Sequence, residues 1–186
     1  MKLKKEFIRF LRQYRHDWLN HLQVIKAYAS MDKKDELSRF IDQLIINAHE
    51  EARISRLGDV ELSYFLLTYN WTQDKLQLDV ELEIDEHEQI DQIGPRYPYL
   101  LNWIKQLTQS MENIALVGDE NRLLLLLSYL DRQLTICVDF IGTWDEEQGM
   151  LEIKRLEELV TKDQGKLKLN QHIKGQLSFE MVAQKE

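Results

Sequence analysis

The sequence predicts an α+β fold in two parts, an N-terminal antiparallel helical hairpin followed by a mixed layer of helices and strands. Three observations predict it. From Lys4 to about Met31 there is no Gly or Pro, and Phe7, Leu11, Tyr14, Trp18, Leu22, Ile25 and Ala29 recur at alternating spacings of three and four, the signature of one long amphipathic helix. After the polar stretch "SMDKKDEL", with Asp32 as a candidate N-cap, the apolar pattern restarts at Leu37, Ile41, Leu44, Ala48 and Ala52, so a second helix follows within a short turn. Beyond Gly58 helical runs alternate with strand-like ones, which is the pattern of a layered α+β domain. The expected boundary therefore lies between residues 57 and 58.

Each later element has its own signal. "DVELSYFLLTYNWTQDK" reads as a third helix, "LQLDVELEI" alternates like a strand, and "YPYLLNWIKQLTQSMENIA" reads as a helix started by Pro98, because proline is pre-set for a first helical turn. "NRLLLLLSYL" and "QLTICVDFIG" are two strands joined by Asp131 and Arg132 in a hairpin loop, "WDEEQGMLEIKRLEELVTK" is a helix, and "KLKLNQHI" with "GQLSFEMVA" forms a last hairpin around Lys174 and Gly175. No internal repeat is visible.

Composition bounds the function. The chain has 186 residues, 44% hydrophobic and 30% charged, with seven Gly and two Pro, which favours a globular, helix-rich protein over disorder. Its longest uninterrupted apolar run is Leu123–Leu127, far short of a membrane span, and the charges of "MKLKKEFIRFLRQYRH" fall too deep for a signal-peptide core. A soluble cytoplasmic protein that does not engage membrane is expected. The single Cys137 allows no disulfide within one chain and reads as a buried reduced thiol. Trp71, Trp103 and Trp144 read as core or subdomain-contact residues, and the acidic runs "EIDEHEQID" and "DEEQGMLE" lack the spacing of a calcium loop. No metal site is expected, and His49, His87 and His172 have no chemical company.

The net charge of −8 argues against nucleic acid as a partner. It is unevenly spread. Residues 1–57 carry 12 basic and 8 acidic residues, and the remainder carries 12 basic and 24 acidic. A basic N-terminal module on an acidic protein suits an acidic protein surface. Two helices standing alone would also leave much of their apolar stripes in water. A second copy that completes a dimeric four-helix bundle would cover them, and docking onto the chain's own C-terminal part is the competing explanation.

The stretch "YRHDWLNHLQVI" carries the chemistry. At about 100° per residue, with Trp18 taken as the seam direction, Leu11, Tyr14, Leu22 and Ile25 fall within roughly 40°, whereas His16 falls about 160° away. Arg9, Arg12, Gln13, Asn20 and Gln23 share that outward side. His21 lies only about 60° off the seam and reads as a packing residue. The two histidines are five apart, outside the spacing of about three or four that lets a helical pair share zinc. A neutral imidazole offers a nitrogen lone pair near physiological pH and can hold a phosphoryl group as a phosphoramidate. Arg12, one turn before His16, could offset growing negative charge, and Asn20, one turn after, could donate a hydrogen bond. Asp17, on the flank, could orient the ring or keep its tautomer.

"RHDWLNHLQVIKAY" resembles the phosphoacceptor motif of the sporulation initiation phosphotransferase B family and of its relatives among sensor histidine kinases. The matching positions are His16, Asp17, Asn20, Leu22 and Gln23. "FLLTYNW", "ENRLLLLLSY" and "DRQLTICVDFIG" are similar to the family's following helix and hairpin strands. The resemblance implies a dimeric bundle followed by a degenerate histidine-kinase-ATPase-like α/β domain. It implies a phosphorelay in which His16 takes a phosphoryl group from the aspartyl phosphate of a single-domain response regulator. His16 would then pass it to the receiver domain of a sporulation transcription factor. Catalytic magnesium would belong to the partner, with no cofactor on this chain. Arg9, Gln13 and Gln23 would meet the partner, while Arg12, Asp17 and Asn20 would support His16. Autophosphorylating relatives bind ATP with an Asn-bearing helix, an Asp-x-Gly-x-Gly turn and a glycine-rich lid. Here Asn113 stands in a similar helix, yet Asp139 is followed by the single Gly142 and no later Gly-x-Gly occurs, which argues against nucleotide binding. A silent dimeric scaffold or kinase inhibitor is the main alternative, and an autokinase the lesser one.

Overall fold

The structure is a computed structural model that describes residues 2–116, 120–173 and 175–184. The chain divides into two compact units, Met1–His49 and Glu50–Glu186.

The first unit is the expected hairpin of α1 (Lys2–Ser30) and α2, which runs Lys34–Ile54 and so extends past the unit boundary. Between the helices, Lys33 N–H donates to Tyr28 O and Asp32 N–H to Ala29 O, with Asp32 at φ 54°. That bond pair is a Schellman cap with Asp32 in the left-handed position. Asp32 thus terminates α1 and does not cap α2, contrary to the sequence reading. Aspartate tolerates this conformation better than most residues, and sequence alone does not say which of two adjoining helix ends a turn residue serves. Inside the hairpin the Phe40 ring lies 6.1 Å from both His21 and Tyr28.

The second unit is a five-stranded sheet of β1 (Gln77–Ile84), β2 (Arg122–Leu130), β3 (Gln133–Ile141), β4 (Lys166–Ile173) and β5 (Gln176–Val182), in the order β1-β2-β3-β5-β4. Among the described strands only the β1–β2 pair is parallel. A parallel pair needs a crossover, here supplied by a short helix α4 (Ile93–Arg96) and the long α5 (Leu100–Ile114). The sheet's inward residues, among them Leu125, Leu127, Ile136, Val138, Phe140 and Phe179, form one core with Trp103, Leu107 and Met111 of α5. Ile153, Leu156 and Val160 of α6 (Glu146–Lys162) complete that layer.

Local chemistry sets the boundaries. α3 (Val60–Thr68) starts at Asp59, whose carboxylate accepts from Glu61 and Leu62 N–H, and α6 starts at Asp145, which accepts from Gln148 N–H, both N-caps. α3 is shorter than its sequence pattern suggests, because the chain tightens into a 3-10 turn at Tyr69–Trp71. Pro98 lies two residues ahead of α5 and not inside its first turn. Asp131 and Arg132 both adopt positive φ, 50° and 59°, as a two-residue hairpin loop with matching twist requires. Gly175 (φ 85°) turns the last hairpin; Lys174 lies outside the described residues, as does the side chain of His172. Cys137 is half-buried and not fully buried as expected. Strand alternation gives Ile136 and Val138 to the core and turns Cys137 to the opposite face.

Candidate functional site

α1 is continuous from Lys2 to Ser30, so each described side chain on it has a fixed azimuth. Among the described residues of α1 the half-buried positions are Phe10, Asp17, His21, Val24, Ile25 and Tyr28. They form a stripe that faces α2. A second apolar stripe, Phe7, Leu11, Tyr14, Trp18 and Leu22, stays exposed, with Trp18 at 47% and Leu22 at 51%. His21 packs as expected, its ring 6.2 Å from Trp18 as well as against Phe40.

His16 stands away from both stripes with 66% of its side chain exposed, beside Asp17 at 37%. Its Nδ1 is 3.3 Å from Asp17 Oδ1 and 3.3 Å from Asn20 Nδ2. The same Asp17 oxygen accepts from Gln13 Nε2 at 3.2 Å. Among the described residues, Nε2 of His16 has no hydrogen-bond partner. These contacts dictate a choice of tautomer. Nδ1 can donate its proton to Asp17, which leaves the lone pair on Nε2, or it can accept from the Asn20 amide, which puts the proton on Nε2. The first arrangement presents an uncharged nucleophile to solvent on a rigid helix.

Of the residues singled out from sequence, His16, Asp17, Asn20 and Gln13 come together in one hydrogen-bonded group. Arg9, Arg12 and Gln23 are exposed on the same helix and, among the described residues, make no hydrogen bond or ion pair. Leu19 was not singled out. It is 52% exposed and lies one turn beyond His16 on the outward side, and the same helical wheel that oriented His16 marks it as an apolar residue off the seam. Among the described residues no three His, Cys, Asp or Glu side chains gather as a metal-binding set. No described helix is long and apolar enough to cross a membrane.

In the second unit the residues resembling nucleotide-site positions are otherwise engaged. Asn113 donates to Glu152 Oε1 at 3.2 Å and accepts from Gln109 at 3.2 Å, while Ser110 donates to Glu152 Oε2 at 2.7 Å. A Cβ on Gly142 would meet Asn121 Oδ1 at 2.2 Å, and that oxygen accepts Thr143 N–H at 3.2 Å. Gly142 thus allows a close side-chain approach within the chain itself.

Comparison with known proteins identifies the family. Residues 1–57 match the family described as Sensor kinase SpoOB-type, alpha-helical domain, and residues 60–181 match Sporulation initiation phospho-transferase B, C-terminal. The chain belongs to the sporulation initiation phosphotransferase B family. It is 30% identical over 157 residues to the sporulation initiation phosphotransferase B of Bacillus subtilis (strain 168), covering 82% of this chain and 79% of that protein. As a member of this family it is a phosphorelay phosphotransferase. The blue-light activated histidine kinase of Erythrobacter litoralis EL346 shares the fold at a TM-score of 0.50 and 17% identity, over 95% of this chain and 59% of that one. The histidine kinase domain of the same kinase matches at a TM-score of 0.46 and 12% identity, over 70% of this chain and 61% of that one. The family member described here thus spans about three fifths of each kinase chain.

Proposed function

We propose that His16 is the phosphoacceptor of a two-way phosphoryl carrier, and that an exposed Nε2 on a ring held through Nδ1 is the observation that carries this reading. The donor is the aspartyl phosphate of a single-domain response regulator. Nε2 attacks its phosphorus, the Nε2–P bond forms as the P–O bond to the aspartyl oxygen breaks, and the carboxylate leaves with the bonding pair. The proton stays on Nδ1, so the phosphorylated ring is cationic, and Asp17 Oδ1 at 3.3 Å offsets that charge. The same step in reverse delivers the group to an aspartate on the receiver domain of a second regulator, one that controls sporulation.

The neighbours have graded roles in this reading. Arg12 faces the phosphoryl oxygens, Asn20 donates its amide N–H to Nδ1 whenever that nitrogen is unprotonated, and Arg9, Gln23 and Leu19 meet the partner's surface. The chain itself binds no cofactor, and the magnesium this chemistry uses sits in the partner's acidic pocket, toward which the basic charge of residues 1–57 steers association. The exposed stripe of α1 continues on α2 through Ile41 and Ile45, which supports a homodimer that closes a four-helix bundle over the stripe and leaves His16 outside. Residues 1–57 then carry dimerisation and transfer, and residues 58–186 form a kinase-like domain without a nucleotide site. The engagement of Asn113 by the Glu152 carboxylate supports that last point, because a fixed anion opposes phosphates. The protein works in the cytoplasm.

The deciding experiment incubates the protein with a phosphorylated single-domain response regulator and magnesium and looks for acid-labile, base-stable label on His16. A His16→Gln variant is expected to lose all label while it still dimerises. Phosphoryl flow that continues in the variant makes the chain a scaffold, and labelling by ATP with no regulator present makes it an autokinase.

A further inference from the structure

We infer that Gln13 is a positioning residue for His16: its amide holds Asp17 Oδ1 where that oxygen accepts the Nδ1 proton, so that the ring shows an unprotonated Nε2. The inference rests on the reading of His16 as phosphoacceptor and assigns Gln13 to the helix's own site, in place of the partner contact expected from sequence. Adjacent residues on a helix diverge by about 100° and do not face each other. The 3.3 Å approach of Asp17 Oδ1 to the His16 ring is therefore not given by helix geometry and has to be held by something else. Gln13 is placed to hold it. It is four residues before Asp17 and three before His16, so on the wheel it falls between them, about 60° from His16 and about 40° from Asp17, one turn toward the N-terminus. Its Nε2 reaches Asp17 Oδ1 at 3.2 Å, and that one oxygen uses its two lone pairs for Gln13 and for the ring.

The opposing group is Asn20, one turn toward the C-terminus, whose Nδ2 lies 3.3 Å from the same Nδ1. Asn20 stabilises the tautomer with the proton on Nε2, which cannot attack phosphorus. Gln13 and Asn20 thus pull the ring in opposite senses, and Gln13 acts only through Asp17. With its carboxylate pinned toward the ring, the acceptor needs no side-chain reorganisation as positive charge grows on the imidazole, so the contribution belongs to transfer and not to partner binding.

The test is the tautomer of His16 in the full-length protein, read from the two ring-nitrogen shifts at a pH where the ring is neutral, with His16→Gln used to assign them. The wild-type ring is expected to carry its proton mainly on Nδ1. Gln13→Leu should move the population toward Nε2–H and slow phosphoryl acceptance roughly threefold to tenfold, the range of one hydrogen bond, with the Kd for the regulator unchanged. Gln13→Lys keeps an N–H donor of similar reach and should retain the wild-type tautomer. A wild-type ring protonated on Nε2, a Gln13→Leu ring with the wild-type tautomer, or a Gln13→Leu defect confined to regulator binding overturns the inference. A tautomer shift in a protein whose His16 never takes label upholds the positioning role and sinks the phosphoacceptor reading instead.

Discussion

At the scale of single residues, His16 and Tyr69 show opposite uses of a titratable group. His16 is held at one nitrogen and open at the other. Tyr69 is buried, and its hydroxyl donates to Glu112 Oε1 at 2.5 Å; burial first and the Glu112 bond second push its pKa above the ordinary 10.0. The folded tyrosine therefore stays neutral while the unfolded one ionises, so its contribution is fully present below the unfolded value and is lost as pH rises above it. Tyr69→Phe is expected to lower stability at pH 7 by about 1–3 kcal/mol, the cost of a bond to a charged acceptor. The gap from wild type should then narrow in urea titrations above a pH of about 10; a gap that widens there refutes the assignment. Much of this scale was legible in the sequence. The outward azimuth of His16 and the inward one of His21 follow from residue spacing. The Gln13–Asp17 bond does not, since spacing places two residues on neighbouring turns without fixing their rotamers, and nothing in the sequence pairs Tyr69 with Glu112, 43 positions away.

At the scale of elements, periodicity found every long helix and all five strands, and it blurred where ends depend on one turn. Sequence leaves Asp32 ambiguous between two helix ends that meet within three residues, and α4 is invisible to periodicity because four residues carry no period. Long-range packing was equally invisible. Gly149 sits inside α6, where glycine costs about 1 kcal/mol relative to alanine, and it is there because a Cβ would stand 2.0 Å from Trp144 Cζ3. The Trp144 ring is buried and its backbone is bridged to Ala115 at the end of α5, so neither has open space into which to shift. Gly149→Ala should accordingly destabilise by about 1–3 kcal/mol as an overpacked site, against the gain its helix propensity alone predicts. A urea midpoint that rises in the variant refutes this account.

At the scale of the whole molecule, the sequence carried the order of helical hairpin and layered domain, but it could not show which part of α2 belongs where. The helical pattern runs unbroken to Ile54, while Ile54 and Leu57 are buried in the core of the second unit, and only tertiary packing reveals that. The described part of the first unit holds no fully buried side chain, whereas the second has its own core. A hairpin without a core is marginal by itself, and in the proposed bundle a second copy supplies the missing stability. The decisive residues are those on the exposed stripe and not those beside His16. Leu22, 51% exposed, lies about 120° from His16 around α1, so a charge there disturbs the stripe without touching the transfer group. Leu22→Glu places two like charges in the proposed seam of each dimer and is expected to yield monomers by light scattering at concentrations where wild type is dimeric. Helical content should fall as the dimer is lost, while the far-ultraviolet signal of the second unit persists. His16→Gln is the matched control, since it changes the outward face only and should keep the wild-type mass. If Leu22→Glu remains a dimer of wild-type helicity, the stripe is covered in some other way and the four-helix bundle is wrong.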